Sequence, residues 1–396
     1  MKVIVAHNLY SSAQPSGENS VVAQEIGALR GEGFRVLPFL RSSDEIGRMP
    51  AAQRALLPLS PIYAARAQRE LAELCRRERP DIMHLHNPYP LLSPWVVKTA
   101  HRHHVTVVQT VHNFRHVCVS GLYFRNGKTC KDCAGLTWAA PAVRYGCYRG
   151  SHAQSAVMAT ALAVHRGTWR EVDRFIALTP MMASFLDSLG IPGERVAVRP
   201  NAVPDPGRHE IFGRGLLFAG RLVPEKGVEI LLRAWGVHPV GALGELRIAG
   251  DGPLRRMVIE HTAARGDVTY LGKLEPAALR DEMRRAAAVV VPSLYDEICP
   301  MVAIEALANC RPVLAGDRGG LPWLVGRAGW VVEPSVEALA RALAEAAAPP
   351  PYLGRVARRS YEERFEPKAL TDHLIKIYEE ALDSRVRRSR RDAVPA

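Results

Sequence analysis

The sequence predicts an α/β protein with two Rossmann-like, doubly wound domains. Short runs rich in β-branched residues alternate with longer segments of helical spacing along the chain, which is typical of parallel sheets covered by helices. The pattern starts afresh after residues 200–207, where three prolines and a glycine interrupt it. A length of 396 residues suits two domains. Because such sheets bind ligands at the carboxyl ends of their strands, we expect the two domains to face a cleft.

The first domain is predicted to span residues 1–205. Apolar runs predict its strands at Val3–Ala6, Val36–Leu40, Ile82–His86, Thr106–Val111 and Phe175–Leu178. Apolar residues at helical spacing predict a helix over Asn19–Arg30 after the first strand. Residues 113–150 hold four of the seven cysteines and are expected to form an insertion in this domain.

The second domain is predicted to span residues 206–366. Its expected strands are Leu216–Ala219, Leu246–Ala249, Val268–Leu271, Val289–Val291, Pro312–Ala315 and Gly329–Val332. Its expected helices are Gly227–Trp235, Leu254–Ala264, Pro276–Ala287 and Pro300–Asn309. A last helix within residues 367–384 follows, and the arginine-rich residues 385–396 are expected to be a disordered tail.

Composition and charge limit the class of protein. Apolar residues make up 47% of the chain and charged residues 23%, which excludes global disorder. No apolar run reaches the roughly 18 residues of a membrane span, and no cleavage site follows the strand-like start, so we expect a cytoplasmic protein. The net charge of +12 is concentrated before residue 206, with 24 basic and 15 acidic side chains. This asymmetry favours contact with phosphates or with the inner membrane surface, and a scattered solvated surface is the alternative interpretation. Nucleic acid is not expected, because no recognition motif accompanies the charge.

One candidate motif lies between Ser293 and Glu305, directly after an apolar strand. Glu297 is expected on the loop at the strand end, and Pro300 suits the first position of the following helix. The amides of Met301, Val302 and Ala303 would then be free donors at the helix start. Glu305 lies in an apolar helix and therefore needs a hydroxyl or cationic partner, either a sugar diol or a structural arginine.

A second candidate motif follows the strand Leu216–Ala219 and opens a helix. Gly220 allows a close turn, and Arg221 and Lys226 supply two cations within one loop. Arginine binds a pyrophosphate bidentately and lysine adds a point charge. A solvated basic turn is the alternative interpretation of this segment.

Together these segments resemble the family 4 glycosyltransferases, which are retaining enzymes of the GT-B fold. The resemblance rests on Gly220–Leu222 with Pro224–Gly227, on Gly250–Pro253, and on Glu297 with Glu305 seven residues further on. His112 after the fourth strand and Gly17 after the first also agree. The motifs occur in the family's order and cover most of the chain, including a last helix that resembles the family's return to the N-terminal domain.

The resemblance implies roles for individual residues. Arg221 and Lys226 resemble the pyrophosphate clamp, Glu297 the residue that meets the donor sugar, and His112 the histidine beside the reaction centre; these four are the predicted catalytic residues. Glu305 resembles the ribose ligand, and His86 is a candidate contact on the acceptor side. The predicted donor-binding residues are Gly17, Gly220, Arg221, Lys226, Gly272, Glu297, Ile298, Pro300, Met301, Val302 and Glu305.

The implied reaction transfers a hexose from a nucleotide sugar to an acceptor hydroxyl, with retention and without a catalytic metal. The chain contains no Asp-x-Asp triplet, which agrees with a clamp supplied by protein residues. A UDP-sugar is the first expectation for the donor and GDP-mannose the second. The acceptor is expected to be anionic or lipid-linked, in cell-envelope polysaccharide or glycolipid assembly. The alternatives are a natural-product glycosyltransferase and a non-catalytic nucleotide-sugar-binding subunit.

Two features depart from the common family pattern. Trp323 stands where many relatives have glutamate, which implies either a different sugar pocket or a packing role. Cys118, Cys130, Cys133 and Cys147 resemble the cysteine insertion of a subset of bacterial members. The Cys130–Cys133 pair has the spacing of a zinc knuckle, so a structural zinc ion is one interpretation and free thiols are the other. No cofactor is expected to be required for catalysis.

Overall fold

The computed structural model describes residues 1–12, 16–51, 54 and 57–392, with side chains described as far as residue 385. The chain divides into two compact units. The first consists of Met1–Tyr123, Lys131–Arg199 and the residues from Thr371 onward. The second consists of Phe124–Cys130 and Pro200–Leu370.

Each unit contains one parallel six-stranded sheet. The strands of the first sheet are β1 (Lys2–Leu9), β2 (Arg35–Ser42), β3 (Ile82–Leu85), β4 (Thr106–Val111), β7 (Arg174–Ala177) and β8 (Val196–Val198), and a short hairpin forms from β5 (Phe124–Arg125) and β6 (Lys128–Thr129). The strands of the second sheet are β9 (Leu216–Ala219), β10 (Leu246–Ala249), β11 (Val268–Gly272), β12 (Ala288–Val291), β13 (Val313–Gly316) and β14 (Gly329–Val332).

Helices flank these strands in the described part of the chain. Up to the linker they are α1 (Gly17–Gly31), α2 (Glu45–Arg48), α3 (Ala65–Glu78), α4 (Val96–Arg102), α5 (Ala140–Arg144), α6 (His152–Glu171) and α7 (Pro180–Ser188). After it they are α8 (Val228–Trp235), α9 (Arg255–Ala264), α10 (Pro276–Arg285), α11 (Met301–Ala308), α12 (Leu321–Val325), α13 (Val336–Ala346), α14 (Tyr352–Arg364) and α15 (Pro367–Asp392).

The strand orders of both sheets contain a switch point, where neighbouring strands lead to connections on opposite sides. The first sheet has the order β2-β1-β3-β4-β7-β8, which reverses between β1 and β3. The second has the order β11-β10-β9-β12-β13-β14, which reverses between β9 and β12. A crevice opens beyond the carboxyl ends of the strands at such a point, and ligands of doubly wound folds bind there.

The predicted fold class is confirmed for each unit. The central strands follow the predicted positions closely because their apolar runs are buried on both faces, as in β4 and β12. The core of the second unit packs Leu216, Phe218 and Val290 against the helix residues Leu231 and Trp235. The strand β8 and the hairpin were not predicted; β8 is only three residues long and has a single buried residue.

The last helix packs on the first unit, as the family resemblance implies. Leu374, Ile377 and Tyr378 belong to the same core cluster as Val3 and Val108. The helix is longer than predicted, because it continues to Asp392, so residues 385–392 are helical and not a disordered tail. Arginine is a strong helix former, and no proline or glycine occurs before Pro395 to end the helix. Residues 393–396 of the predicted tail lie outside the described residues.

The boundary between the units lies between Arg199 and Pro200, before the predicted one at residue 205. The linker belongs to the second unit because it is bonded there: Arg358 forms a two-pronged ion pair with Asp205, and the Tyr361 hydroxyl donates to the Val203 carbonyl at 2.8 Å. The predicted insertion 113–150 is also divided, since Phe124–Cys130 groups with the second unit. Among the described residues, no helix is long and apolar enough to cross a membrane.

Candidate active site

The switch point of the second sheet brings the two predicted motifs together. Residues 220–227 follow β9, and residues 292–300 follow the neighbouring strand β12. The backbone amide of Leu294 donates to the Glu225 carbonyl at 2.8 Å, which joins the two loops directly. The side chains that both loops present therefore lie beyond the carboxyl ends of adjacent strands.

Lys226 and Glu297 form the centre of this arrangement. The Lys226 ammonium donates to Glu297 Oε1 at 2.6 Å and to the Tyr295 hydroxyl at 3.2 Å. Glu297 also accepts from the Ser293 hydroxyl at 2.7 Å and, through Oε2, from the Tyr295 hydroxyl at 2.7 Å. Glu297 is 3% exposed, so a carboxylate is held almost out of water by three donors.

The pKa of Lys226 shows which charge state this arrangement favours. Burial by itself lowers the pKa of the ammonium, but Glu297 and Tyr295 outweigh burial and raise the pKa above its usual value. Burial raises the pKa of Tyr295, and the Glu297 charge adds to the effect. The site therefore holds a protonated lysine and a neutral tyrosine near neutral pH.

Gly227 explains why the lysine loop can approach β12 so closely. Its φ is +74°, a conformation that L side chains rarely adopt, and an added Cβ would lie 2.0 Å from the Pro292 carbonyl oxygen. On the opposite side, the Gly320 amide donates to the Glu297 carbonyl at 2.6 Å. The backbone of Glu297 is thus fixed as firmly as its side chain.

Arg221 differs from Lys226 in its surroundings. It follows β9 and Gly220 and its side chain is exposed, whereas Lys226 is only partly exposed. An exposed guanidinium is accessible to an anionic ligand.

The start of helix α11 agrees only in part with the prediction. Pro300 caps the helix and does not occupy its first position, because Met301 is the first helical residue. The Ala303 amide, expected to be free, donates to the Pro300 carbonyl at 3.1 Å. Pro300 has no side-chain acceptor, so the amides of Met301 and Val302 remain the leading donors of the helix. Ile298, in the loop before the helix, is buried.

Glu305 and Gly272 are the two remaining predicted ligand residues of the second unit. Glu305 is partly buried on α11, where burial raises the pKa of its carboxyl group and the Arg280 charge opposes that rise. Gly272 ends β11 with a φ of +70°. Both stay predicted ligand residues.

Trp323 has a packing role in the structure. The Arg364 guanidinium lies 4.1 Å from the centre of the Trp323 ring, and an Arg364 amino group donates to the Trp323 carbonyl at 2.9 Å. The ring also contacts Phe365 edge-on at 6.3 Å. This supports the packing interpretation of the tryptophan.

The remaining predicted site residues belong to the first unit. His112 directly follows β4, and its ring stacks on His86 with the centroids 5.2 Å apart. Burial and then the neighbouring His86 hold the pKa of His112 well below its usual range, so its imidazole is neutral. Gly17 is exposed and begins α1, after the N-cap residue Ser16.

The four cysteines of the insertion do not form a metal group in this structure. Within the described ranges, one group of three side chains could bind a metal ion, because their ligand atoms all lie within 4.8 Å of one another. This group is Glu25, His84 and His86. Cys118, Cys130, Cys133 and Cys147, all described, form no such group, and each is partly exposed. Tetrahedral zinc needs four thiolates at about 2.3 Å from one ion. The zinc site therefore stays a prediction.

Two residues of the lysine–glutamate arrangement were not predicted. Ser293 and Tyr295 both lie in the motif that runs from Ser293 to Glu305, four and two residues before Glu297 respectively. A hydroxyl at each of these positions is the signal that could have identified them, because a buried carboxylate needs donors beyond its single cation.

Comparisons with known proteins agree with this geometry. A "Glycosyl transferase 4-like domain" matches residues 16–202, and "Glycosyl transferases group 1" matches residues 213–348. The chain thus contains one domain of each of these two glycosyltransferase families. Its two parallel α/β units are those of the GT-B fold, and sucrose-phosphate synthase from Thermosynechococcus elongatus superimposes with a TM-score of 0.70 at 20% identity, covering 97% of this chain and 100% of that one. HepE of Anabaena, solved with UDP, has a TM-score of 0.66 at 14% identity and covers 95% and 99% of the two chains.

Sequence relatives match shorter regions. An exopolysaccharide phosphotransferase of Streptomyces coelicolor is 30% identical over 56% of this chain and 24% of its own length. A D-inositol 3-phosphate glycosyltransferase of Gordonia bronchialis is 33% identical over 54% of this chain and 54% of its own. The matched region thus spans about a quarter and about half of these two relatives.

Proposed function

We propose that the protein is a retaining, metal-independent glycosyltransferase that moves a hexose from a nucleotide sugar to an acceptor hydroxyl. The observation that carries this proposal is the Lys226–Tyr295–Glu297 arrangement at the switch point between β9 and β12. A protonated lysine and an exposed arginine at that point suit the pyrophosphate of a nucleotide sugar.

The chemistry required is positioning and electrostatic stabilisation. The bond between the anomeric carbon and the phosphate oxygen breaks, and negative charge grows on the leaving diphosphate. Lys226 and Arg221 neutralise that charge, and the Met301 and Val302 amides add donors. Glu297 faces hydroxyls of the sugar and its developing positive charge. The acceptor oxygen forms the new bond on the same face, and its proton passes to the leaving phosphate.

A UDP-sugar is the proposed donor, with GDP-mannose as the second choice. The support is that the structural neighbour HepE was solved with UDP and with UDP-glucose. An anionic or lipid-linked acceptor at the inner membrane face, in cell-envelope assembly, is supported by the excess of basic residues before residue 206 and by the names of the two relatives. A natural-product acceptor is the second candidate, since another neighbour of the same fold takes part in avilamycin A biosynthesis.

The test is a thermal-shift panel of UDP-, GDP-, dTDP- and ADP-glucose and GDP-mannose, without added metal. Wild type is compared with Lys226→Ala and with the control Lys376→Ala, which removes an exposed lysine of the last helix. A ligand at 100 times its Kd should stabilise the fold by about 2.7 kcal/mol. We expect one nucleotide class to shift wild type and the control but not Lys226→Ala.

Turnover of the stabilising donor then separates an enzyme from a binding subunit. Sugar transfer with retained anomeric configuration supports the proposal, whereas binding without any turnover indicates a subunit. If no nucleotide sugar raised the unfolding temperature, both the enzyme and the binding-subunit interpretation would be contradicted.

A further inference from the structure

Helix α6 and the loop packed on it present large apolar side chains to solvent. Val164 on this helix is 49% exposed, Leu136 in the loop is 46% exposed, and Trp138 is 43% exposed. The Trp138 indole donates to the Thr160 hydroxyl at 3.2 Å, and Thr160 lies one helical turn before Val164. Single exposed apolar side chains are ordinary, whereas a group of them indicates a surface that another molecule covers.

Hydrogen bonds fix the loop that carries Leu136 and Trp138. An Arg166 amino group donates to the Leu136 carbonyl at 3.4 Å, so the loop is bonded to α6 both at Thr160 and at Arg166. The exposure of its two apolar side chains is therefore a property of the fold.

Tyr145 extends this surface toward the start of α6. It is 48% exposed and directly follows helix α5. The carbonyl of Val143, within α5, lies 2.8 Å from Nδ1 of His152, the first residue of α6. We call the exposed side chains of Leu136, Trp138, Tyr145 and Val164 the apolar patch.

The outer face of α6 continues the apolar patch with small side chains. Ala153 and Gly167 are exposed, and Ala156 and Ala163 are half-buried. Residues 152–170 include no aspartate and no glutamate. A negatively charged surface can therefore approach this helix without repulsion from acidic side chains of the helix itself.

Basic side chains accompany the apolar patch. Residues 131–170 hold five lysines and arginines and one acidic residue, Asp132, so the segment has a net charge of +4. The exposed Arg144 guanidinium lies 5.5 Å from the centre of the Tyr145 ring, and the exposed Arg166 is bonded beside Leu136. Among the described residues, no carboxylate forms an ion pair with either guanidinium. Their charges are available to an anionic partner.

An anionic lipid bilayer fits this combination of side chains. Tryptophan and tyrosine favour the boundary between hydrocarbon and headgroups, where the ring is buried and its polar atom stays in water. Arginine and lysine attract anionic headgroups, and binding increases with both apolar area and charge. A nucleic acid would use the charge but would leave Leu136 and Val164 exposed.

We propose that the apolar patch and the basic residues beside it bind an anionic membrane surface, with Leu136 and Trp138 inserted among the lipid headgroups. The use of this surface to reach a lipid-linked acceptor rests on the proposed function; the membrane binding itself does not. Leu136, Trp138 and Tyr145 belong to the predicted insertion 113–150, which thereby gains a role that does not depend on zinc.

Co-sedimentation of the full chain with lipid vesicles tests the proposal, without donor or acceptor. Vesicles of phosphatidylglycerol and phosphatidylcholine in equal parts are compared with vesicles of phosphatidylcholine alone. We expect binding to the anionic vesicles that weakens as salt is added, and much weaker binding to the neutral ones. No binding to the anionic vesicles, or equal binding to both kinds, would overturn the proposal. A chain that binds the vesicles but transfers no sugar would contradict only the proposed function.

Serine variants test the apolar patch. Leu136→Ser and Trp138→Ser should each weaken binding to the anionic vesicles by at least about fivefold, because less apolar surface is buried. The control is Ile211→Ser, at a side chain of the second unit that is 89% exposed, and it should bind as wild type does. Unchanged binding of the two patch variants, or an equal loss in the control, would reject the patch.

Glutamine variants test the charge. Arg144→Gln and Arg166→Gln should each weaken binding by about fivefold, the contribution of one basic residue near an anionic membrane. Arg233→Gln is the control, at an exposed arginine of α8 in the second unit. Binding that depends equally on all three arginines would show attraction by net charge alone and would contradict the assigned surface.

Trp138 also reports its own insertion. It is exposed, whereas the other five tryptophans of the chain are buried or half-buried. Anionic vesicles that contain brominated phosphatidylcholine quench a tryptophan that reaches the lipid. We expect quenching in wild type and its loss in Trp138→Phe, although this variant still binds the vesicles. Unchanged quenching in Trp138→Phe would place another surface on the membrane and overturn the proposal.

A second copy of the chain is the alternative occupant of the apolar patch. Sedimentation velocity without lipid compares wild type with Trp138→Ser. We expect the same sedimentation coefficient for both. A wild-type dimer that Trp138→Ser dissociates would show that the patch binds another copy, and it would overturn the membrane assignment.

Discussion

At the scale of single residues, the arrangement around Glu297 is already set before a ligand binds. The carboxylate has Lys226, Ser293 and Tyr295 as donors, so its orientation is fixed by three hydrogen bonds. Fixed charges of this kind stabilise a charged transition state without having to reorganise. Removing one partner leaves the other charge buried and unpaired.

Lys226→Ala and Glu297→Ala should each lower kcat/KM for sugar transfer by at least about 100-fold, or ~2.7 kcal/mol of transition-state stabilisation. The physical reason is that Lys226→Ala removes a positive charge at the diphosphate and Glu297→Ala removes a negative charge at the sugar. Steady-state kinetics with the donor identified in the thermal-shift panel measure the effect. Lys376→Ala is the matched control, and near-normal turnover in either site variant would disprove the assignment.

Tyr295→Phe should lower the free energy of unfolding by about 1–2 kcal/mol, because Glu297 Oε2 loses its donor while it remains buried. Denaturant titration measures this change. The control is Tyr352→Phe, at a tyrosine that is 53% exposed, and it should leave stability within about 0.5 kcal/mol of wild type. Equal changes in the free energy of unfolding of the two variants would show that the hydrogen bond from Tyr295 to Glu297 does not stabilise the protein.

At the scale of elements, the site depends on how closely two loops approach after β9 and β12. Gly227 makes that approach possible, because a side chain there would meet the Pro292 carbonyl. Gly250 has a φ of +144°, and a Cβ added there would lie 1.8 Å from the Gly220 carbonyl oxygen. The loops are therefore held by backbone geometry as well as by side chains.

Gly227→Ala should destabilise the protein by at least about 2 kcal/mol, from the cost of positive φ and from the clash with backbone. Gly266→Ala is the matched control in the same unit, since nothing lies within 4 Å of a Cβ added there. Thermal and denaturant unfolding compare the two. A stability of Gly227→Ala equal to that of the control would refute the close-approach argument.

Metal analysis of untagged protein tests the cysteine insertion. If Cys118, Cys130, Cys133 and Cys147 bind structural zinc, about one zinc ion per chain should be found, and a chelator should destabilise the protein. Cys130→Ser should lose the metal, whereas Cys75→Ser, at a buried cysteine outside the insertion, should keep it. A fully folded chain free of zinc would end this prediction.

Local sequence patterns predicted local structure in this protein, but they did not predict which distant residues meet. The strand Thr106–Val111 was predicted at its observed bounds because five of its six residues are β-branched, and all six are buried. The motifs at Lys226 and Glu297 could be identified from the sequence because each directly follows an apolar strand and leads into a helix, whereas the adjacency of the two strands is seen only in the structure. The Glu25–Arg199 ion pair was not predicted, because its partners lie 174 residues apart and no local pattern links them.

At the scale of the whole molecule, the first unit concentrates buried histidines that stay neutral. Burial lowers the pKa of His84 to about 4 and that of His116 to about 4. Burial and the neighbouring His86 lower the pKa of His7 to about 3. In the unfolded chain each of these groups has its ordinary pKa of 6.5 and binds a proton more readily.

Stability should therefore fall as the pH is lowered from about 6.5 to about 4. In that window the unfolded chain binds protons that the folded chain does not, which costs about 1.4 kcal/mol per pH unit for each such histidine. Denaturant unfolding at successive pH values measures the slope. His116→Phe should reduce it by one histidine's share, and stability that stays level or rises toward pH 4 would contradict the assignment.

The return of the last helix affects the order in which the chain can fold during synthesis. Tyr378 lies 2.7 Å from His84, a partner 294 residues earlier, and Leu374 and Ile377 fill the same core. A ribosome exposes those residues only after the whole second unit has left the exit tunnel. Domains usually fold in order from the N-terminus. The first unit is therefore the first to be synthesised and the last to be completed. Until the last helix packs, the apolar face that binds this helix stays accessible to chaperones.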